Sequence, residues 1–425
     1  MERNILKGKR IAVTALDLEQ EEHRGLAVLS KSLIELLKKY GAEVYLITSI
    51  NSFRLNHITK STITKKLRNE IFVADICEKL DKGTSYRKKF KKNKLYKFKT
   101  IINLIIKIIS LNLYNFNLKK IFLTLTQLHK DINIHSPRMS YLKSLEGFIY
   151  VNEIFNVTRL RSMRLLPKCP KLKIPKKDLD LIITSCPISL VNKDPKSAKI
   201  VQIIPDAIPI QVSNHPENPV TFYNRLLDAH LSKTLYISET TRSIVKDILR
   251  IQNKQDDQNE ILYPMPSITS NALSEVMTIP TIREINNPYI LFNSSIVERK
   301  RVELTINYFN SSKLPDSNFM LLIAGKIHDS EYCERIKKMC EKNENIILLD
   351  YVSEIEKVWL FLNATALIST SSSEGFGIPV LDAACLKLPV LASNISSHLE
   401  IKKLTNSSNI KLLDIKNEQL WVYHI

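Results

Sequence analysis

Apolar residues in this chain fall into two patterns, short continuous runs and longer stretches with helical spacing. Arg10–Leu16 (RIAVTAL), Glu43–Thr48 (EVYLIT), Asp178–Ser185 (DLDLIITS) and Ala198–Ile204 (AKIVQII) are runs of the first kind. Their length and branched side chains predict buried strands of a parallel sheet. Between the first two runs, Leu26, Leu29, Leu33, Leu36 and Leu37 have helical spacing, and Gly41 ends the helix. Strand, helix and strand together make a βαβ unit. Leu235–Thr241 (LYISETT) predicts a further strand and a helix start that Ser238 caps. Ile251–Asn287 is polar, with QNKQDDQNE, Pro264 and Pro266, and reads as a linker. The alternation resumes at Tyr289–Ser294 (YILFNS). It continues through Phe319–Gly325, Ile346–Asp350, a loop and helix over Tyr351–Leu362, and Ala364–Thr370. This order predicts an α/β chain of doubly wound parallel sheets.

Residues from about 50 to 175 carry no such order. Tyr86–Lys99 (YRKKFKKNKLYKFK) is a dense basic run, and Ile101–Leu118 after it holds a single charge, Lys107. That stretch is near membrane-spanning length. However, Asn103, Lys107 and Ser110 share one helical face, with Ile101, Ile105, Ile108 and Ile109 elsewhere, which predicts an amphipathic helix. Behind the lysines, such a helix fits an anionic membrane surface over 86–118; a core-facing helix accounts for it equally well. Phe90, Tyr96 and Phe98 among the lysines are also found in nucleic-acid binders, but no such fold signature accompanies them, so no nucleic acid is expected.

Composition narrows the partners. With 425 residues, 44% hydrophobic and 25% charged, the chain is globular material for two or three domains. A net charge of +19, from 62 basic and 43 acidic residues, favours anionic partners. Cys77, Cys169, Cys186, Cys333, Cys340 and Cys385 form no CxxC or Cys/His metal spacing, so free thiols in a reducing compartment are expected. MERNILKGKRIAV at the N-terminus lacks the apolar core of a signal peptide.

The stretch with the most chemistry is Ile368–Ser393 (ISTSSSEGFGIPVLDAACLKLPVLAS). It predicts a strand end, the polar loop Ser371–Ser373, then Glu374-Gly375-Phe376-Gly377. The glycines allow a sharp turn or close approach to a ligand. Pro379 suits the first turn of a helix that runs to about Leu388 and stops at Pro389, and Pro389–Ala392 opens a strand. A glycine-rich turn feeding a helix N-terminus favours anions. Glu374 and Asp382 frame it, with Asp382 about one turn into the helix, so that both acids can face one pocket.

These residues resemble the donor-site signature of the retaining GT-B glycosyltransferases of family 4 (glycosyl transferases group 1), usually EGFGLPxLEAxAxGxPV. EGFGIPVLDAACLKLPV matches most of it, with Asp382 at the second acid and Lys387 at the usual glycine. The resemblance implies that Glu374 contacts the donor sugar and Asp382 the nucleotide ribose. Ser295-Ile296-Val297-Glu298-Arg299-Lys300-Arg301 is similar to the family's "GTxxPRKN" loop, so Lys300, with Arg299, is expected on the donor diphosphate. Ser294 stands at the usual glycine there, and Asp350 at another. Gly25 matches a glycine near the donor phosphates; a helix-opening glycine reads the same way. Pro205-Asp206-Ala207-Ile208-Pro209 looks like "His-Asp-x-x-Pro", with Pro205 at the His and Asp206 retained as a catalytic residue. Ser396-Ser397-His398-Leu399-Glu400 resembles the loop after the motif, where Pro-Glu is usual.

The resemblance implies a GT-B fold: Rossmann-like domains over 1–250 and 288–425 facing across a cleft, an insertion at about 50–175, and a linker at 251–287. The activity expected is retaining transfer of a mannosyl- or glucosyl-type group from a nucleoside-diphosphate sugar to a carbohydrate or lipid-linked acceptor, in surface polysaccharide or lipopolysaccharide synthesis. Arg299, Lys300 and the Gly375–Gly377 turn would stabilise the departing diphosphate. No metal and no cofactor beyond the nucleotide-sugar are expected, and the place of action is the cytoplasm or the inner face of the plasma membrane. Family members continue past the motif with helices that a chain ending at Ile425 is too short to include, so a truncated domain is expected. Pro205, Asp382, Ser294 and that truncation keep open a membrane-associated relic without turnover. A GT-B epimerase or phosphorylase would share the fold.

Overall fold

The computed structural model describes residues 4–14, 16–20, 23, 25–50, 65–83, 118, 120–132, 137–192, 194–213, 215–251, 260–268, 285–328 and 330–425. The membrane-surface expectation for 86–118 therefore lies outside the described residues, Leu118 apart. The chain divides into two compact units. One holds Met1–Pro205, Pro209–Tyr236 and Lys254–Glu260; the other holds Asp206–Ile208, Ile237–Asn253 and Ile261–Ile425.

The first unit is built on seven strands: β1 (Arg10–Thr14), β2 (Glu43–Thr48), β3 (Lys120–Thr124), β4 (Gly147–Val151), β5 (Leu181–Thr184), β6 (Lys199–Ile204) and β7 (Lys233–Tyr236). Their order is β3-β4-β2-β1-β5-β6-β7, parallel except for β3, which runs antiparallel to β4. The predicted runs became β1, β2, β5 and β6 because both faces of these strands are covered, so no polar alternation is needed. The helix Gly25–Lys39 buries Leu29, Leu33 and Leu37 as its spacing predicts, together with Ala27 and Ile34, while Leu26 is exposed. β3, β4 and the helix Lys65–Lys82 lie between about 50 and 175, where the sequence predicted no strand and a helix at 101–118 alone. β3 is an edge strand with Ile121 and Phe122 exposed, so its apolar residues do not mark a buried run.

The second unit has six parallel strands: β8 (Tyr289–Asn293), β9 (Met320–Ala324), β10 (Ile346–Asp350), β11 (Ala366–Ser369), β12 (Val390–Ser393) and β13 (Ile410–Leu413). The order β10-β9-β8-β11-β12-β13 reverses direction between β8 and β11. Phe292, Phe309, Leu321, Ile323 and Ile336 form its core. The helix Glu239–Leu249 belongs to this unit, and Ser238 caps it as predicted, its Oγ accepting from Thr241 N.

Two details differ from the sequence reading. The helix expected to reach Leu388 spans Ile378–Cys385, because Lys387 adopts the left-handed backbone (φ 59°) and ends it before Pro389. The C-terminal segment, for which no elements were predicted, is also regular. It forms the helix Ser396–Thr405, β13 and the helix Glu418–His424. Trp421 in the last helix is wholly buried and stacks on Tyr308 with ring centroids 5.2 Å apart. Among the described residues, no helix is long and apolar enough to cross a membrane.

Candidate active site

In a doubly wound sheet, ligands bind at the carboxyl ends of the strands where the order reverses, since the chain leaves in opposite directions and opens a crevice. In the second unit that point lies beyond β8 and β11. β8 continues through Ser294 to a turn of 3-10 helix at Glu298–Lys300, and β11 continues through Thr370 to the Ile378–Cys385 helix. The two loops are tied together. Ser372 N donates to Arg299 O at 2.8 Å, and Thr370 Oγ1 donates to Lys300 O at 3.0 Å. Ser294, at the family's glycine position, does not adopt a left-handed backbone. Gly325 supplies the room instead: a Cβ there would stand 1.6 Å from Ser294 O.

The predicted acid and cations meet here. Glu374 Oε2 accepts from Arg299 Nη1 at 2.9 Å, while Oε1 accepts from Lys300 Nζ and from Ser371 Oγ, the latter at 2.8 Å. Arg299 Nη1 also reaches Ser373 O at 2.8 Å, and among the described residues the guanidinium Nε and Nη2 meet no acceptor. Burial by itself would raise the Glu374 pKa, but the Lys300 and Arg299 charges outweigh it and hold the carboxyl far below the usual range. Lys300 is buried, and desolvation pulls its pKa from 10.5 down to about 8 against the opposing pull of Glu374. Asp206 is among the charges acting on Lys300, and its Oδ1 accepts from Ile208 N at 3.1 Å.

The glycine turn is pinned from outside. Gly375 O accepts from Ser238 Oγ at 2.7 Å and from Thr241 Oγ1 at 3.1 Å. Phe376 is buried, with Tyr263 beside it at 6.0 Å between ring centroids. Gly377 is the N-cap with φ 108°, open to glycine but strained for other residues. Glu400 holds the neighbouring helix start, accepting from Glu239 N at 2.6 Å and Thr240 N at 3.1 Å.

Asp382 does not join this cluster. It is buried, and its Oδ1 accepts from Ser267 N at 2.6 Å while Oδ2 takes the Ser267 hydroxyl. Lys357 Nζ donates to the same Ser267 Oγ at 3.0 Å. The expectation of one shared pocket rested on helical spacing, which does not carry across the non-helical Gly377. Gly25 lies in the first unit, where it opens the Gly25–Lys39 helix.

Several side chains here were not singled out from the sequence. Ser371 and Ser267 sit in polar loops with nothing to mark them. His398 is wholly buried in the Ser396–Thr405 helix and faces Gly377, whose Cβ would stand 3.1 Å from the imidazole Cδ2. A cavity of about 10 Å³ lies between them, lined also by Asn293, Ser294, Ser369 and Glu374. Among the described residues, no group of three or more His, Cys, Asp or Glu could hold a metal ion.

Part of the sequence and the fold are similar to known proteins. Residues 280–410 match the sequence model of the family "Glycosyl transferases group 1". Over 116 residues, 27% of this chain, the sequence is 30% identical to the serotype-specific mannosyltransferase WbdA of Escherichia coli. The match spans 14% of that relative's length. Among solved structures, TarM is similar over 98% of this chain and 91% of its own, with a TM-score of 0.50 at 14% identity. Sucrose-phosphate synthase from Thermosynechococcus elongatus is similar over 98% and 88%, with a TM-score of 0.50 at 11% identity. At these identities the structures speak for the fold, and the fold is GT-B. The second unit, with its Glu374–Arg299–Lys300 cluster at the sheet's reversal point, thus carries a glycosyl transferases group 1 domain.

Proposed function

We propose that this protein is a retaining glycosyltransferase that moves a hexosyl group from a nucleoside-diphosphate sugar to an acceptor hydroxyl. The observation that carries this reading is the Arg299–Lys300–Glu374 cluster, with Lys300 buried and its partners partly so, beside a helix N-terminus. A departing diphosphate needs positive charge fixed in advance in a site of low polarity. Arg299 keeps its Nε–Nη2 edge open, and that edge matches two phosphate oxygens. Lys300 adds a second cation, and the helix dipole a third positive end. In this reading they replace a metal ion. Glu374, held ionised, takes the sugar hydroxyls. Asp206 is assigned to the catalytic side of the site, and Gly375, Phe376 and Gly377 to the donor's backbone contacts. The acceptor is assigned to a carbohydrate or lipid-linked molecule of a surface polysaccharide, in keeping with the mannosyltransferase likeness. Attachment to an anionic inner membrane surface through 86–118 is assigned on charge alone.

One observation favours a second reading. Asp382, the expected ribose ligand, already has both carboxylate oxygens occupied by Ser267. A protein whose linker fills that place would bind nucleotide weakly and turn over no donor. Calorimetric titration with UDP, GDP and ADP and their hexose conjugates, with and without EDTA, separates the two. Saturable binding of one nucleotide that EDTA leaves intact, lost by about tenfold or more in Lys300→Ala, is expected for the transferase. Absence of binding to any of them would refute it.

A further inference from the structure

The fold treats the two ring nitrogens of His398 differently. Nδ1 lies 2.9 Å from the carbonyl oxygen of Ser393, which can only accept, so Nδ1 carries the proton. The Ser393 hydroxyl agrees with that tautomer, because it spends its own proton on Ser371 O. The Nδ1 proton leaves Nε2 as the acceptor of the neutral tautomer, and burial, which lowers the imidazole pKa against the pull of Glu374, favours that form. Nε2 is buried and meets no donor among the described residues. It faces Gly377, whose Cβ would stand 3.4 Å away, and it borders the cavity shared with Glu374. At about 10 Å³ the cavity admits one water-sized group. A phosphate or carboxylate brings no proton to an acceptor at neutral pH; a hydroxyl does.

We propose that His398 is a positioning residue for the donor, its Nε2 accepting a hydrogen bond from one hydroxyl of the sugar that the nucleotide carries. The proposal rests on the donor-site reading above and adds a specificity element to it. Glu374 already has two cations and a serine as donors, whereas His398 offers the cavity an acceptor that no described donor occupies. Gly377 takes part too, because any larger residue would press on the imidazole edge. Without sugar, a water gives the same chemistry, and the experiment must tell the two sources apart.

Two substitutions divide the ring. Asn places an amide N–H near Nδ1 and removes the Nε2 acceptor; Gln reaches the Nε2 position. Calorimetric titration of wild type, His398→Asn and His398→Gln with the nucleotide that binds, and with its hexose conjugate, reads the difference. Both variants are expected to bind the free nucleotide within about twofold of wild type. His398→Asn is expected to lose about tenfold for the conjugate alone, as one lost hydrogen bond implies, with most of it recovered in His398→Gln. His398→Leu takes the place of the Asn variant should that fail to fold. Equal losses for nucleotide and conjugate would show a merely structural histidine and overturn the proposal. So would conjugate binding at wild-type strength in the Asn variant, which would mean that Nε2 holds only water. Should wild type bind neither ligand, the donor-site reading falls first and this inference with it. Should wild type bind both and the variants not split them, this inference alone falls.

Discussion

Lys387 holds a left-handed backbone, φ 59°, where the family pattern has glycine, and Asp350, at another such position, holds φ 57°. The whole chain has 8 glycines, so left-handed positions fall to other residues, and among those described Glu153, Arg164, Arg250, Arg301, Asn318 and Asn406 fill six more. A left-handed lysine costs about 1–2 kcal/mol, part of which glycine's extra freedom in the unfolded chain returns. Lys387 is exposed and its carbonyl still accepts from Asn409 Nδ2. Lys387→Gly is therefore expected to stabilise the second unit by about 0.5–1 kcal/mol in chemical denaturation. Lys300 supplies a test in pH. Burial sets its pKa at about 8, so it is a cation below that and neutral above. Nucleotide affinity is expected to hold from about pH 6.5 to 7.5 and to fall tenfold per unit above about 8, with the fall absent in Lys300→Met. Stability responds with the opposite sign. Between about 8 and 10.5 the unfolded chain keeps a proton that the folded chain has released, so this residue's contribution to stability rises with pH.

The elements around the site act by holding a loop. The Glu374–Gly377 turn has no regular structure, yet Ser238 and Thr241 at one helix start fix the Gly375 carbonyl, and Glu400 fixes that helix in turn. The two hydroxyls are not equivalent. Ser238 Oγ also accepts from Thr241 N as the helix cap, whereas the Thr241 hydroxyl meets Ser238 Oγ and Gly375 O. Ser238→Ala is expected to cost about 1 kcal/mol of stability from the cap alone. Thr241→Val keeps the cap and loosens the turn. It is expected to weaken nucleotide binding by about threefold to tenfold with a smaller loss of stability, as one side-chain hydrogen bond warrants. Thermal unfolding beside calorimetric titration separates these effects. Strand and helix order was legible at this scale because covered strands carry unbroken apolar runs. β3 was not, because it is a short edge strand whose three apolar residues, Ile121 to Leu123, are mostly exposed, so its pattern carries no burial signal.

At the scale of the molecule, each unit is built on its own sheet, and the second depends on its last helix. Trp421 is wholly buried against Tyr308, its Nε1 donates to Asp414 O at 2.9 Å, and the Tyr308 hydroxyl donates to Ile415 O at 2.6 Å. Removing that indole leaves a large cavity in the core of the second unit. Trp421→Ala is expected to destabilise that unit by about 3–5 kcal/mol. Denaturation followed by fluorescence would show an earlier transition for the second unit, with the first unit's transition unmoved.

The sequence by itself determined the α/β class, the two series of strands and helices, and the acid and cations of the candidate site. Those features are local: apolar periodicity reflects burial of neighbouring residues, and Glu374-Gly375-Phe376-Gly377 and Arg299-Lys300 are contiguous. Only the tertiary structure decided what each charge faces. Glu374 and Asp382 lie on one short stretch of chain, yet one meets Arg299 and Lys300 while the other meets Ser267. His398 reads as one more polar residue of a helix start until the fold buries it against Gly377. Partners far apart in the chain are chosen by packing, and hydrogen bonds and desolvation act through space, which the order of residues does not encode directly.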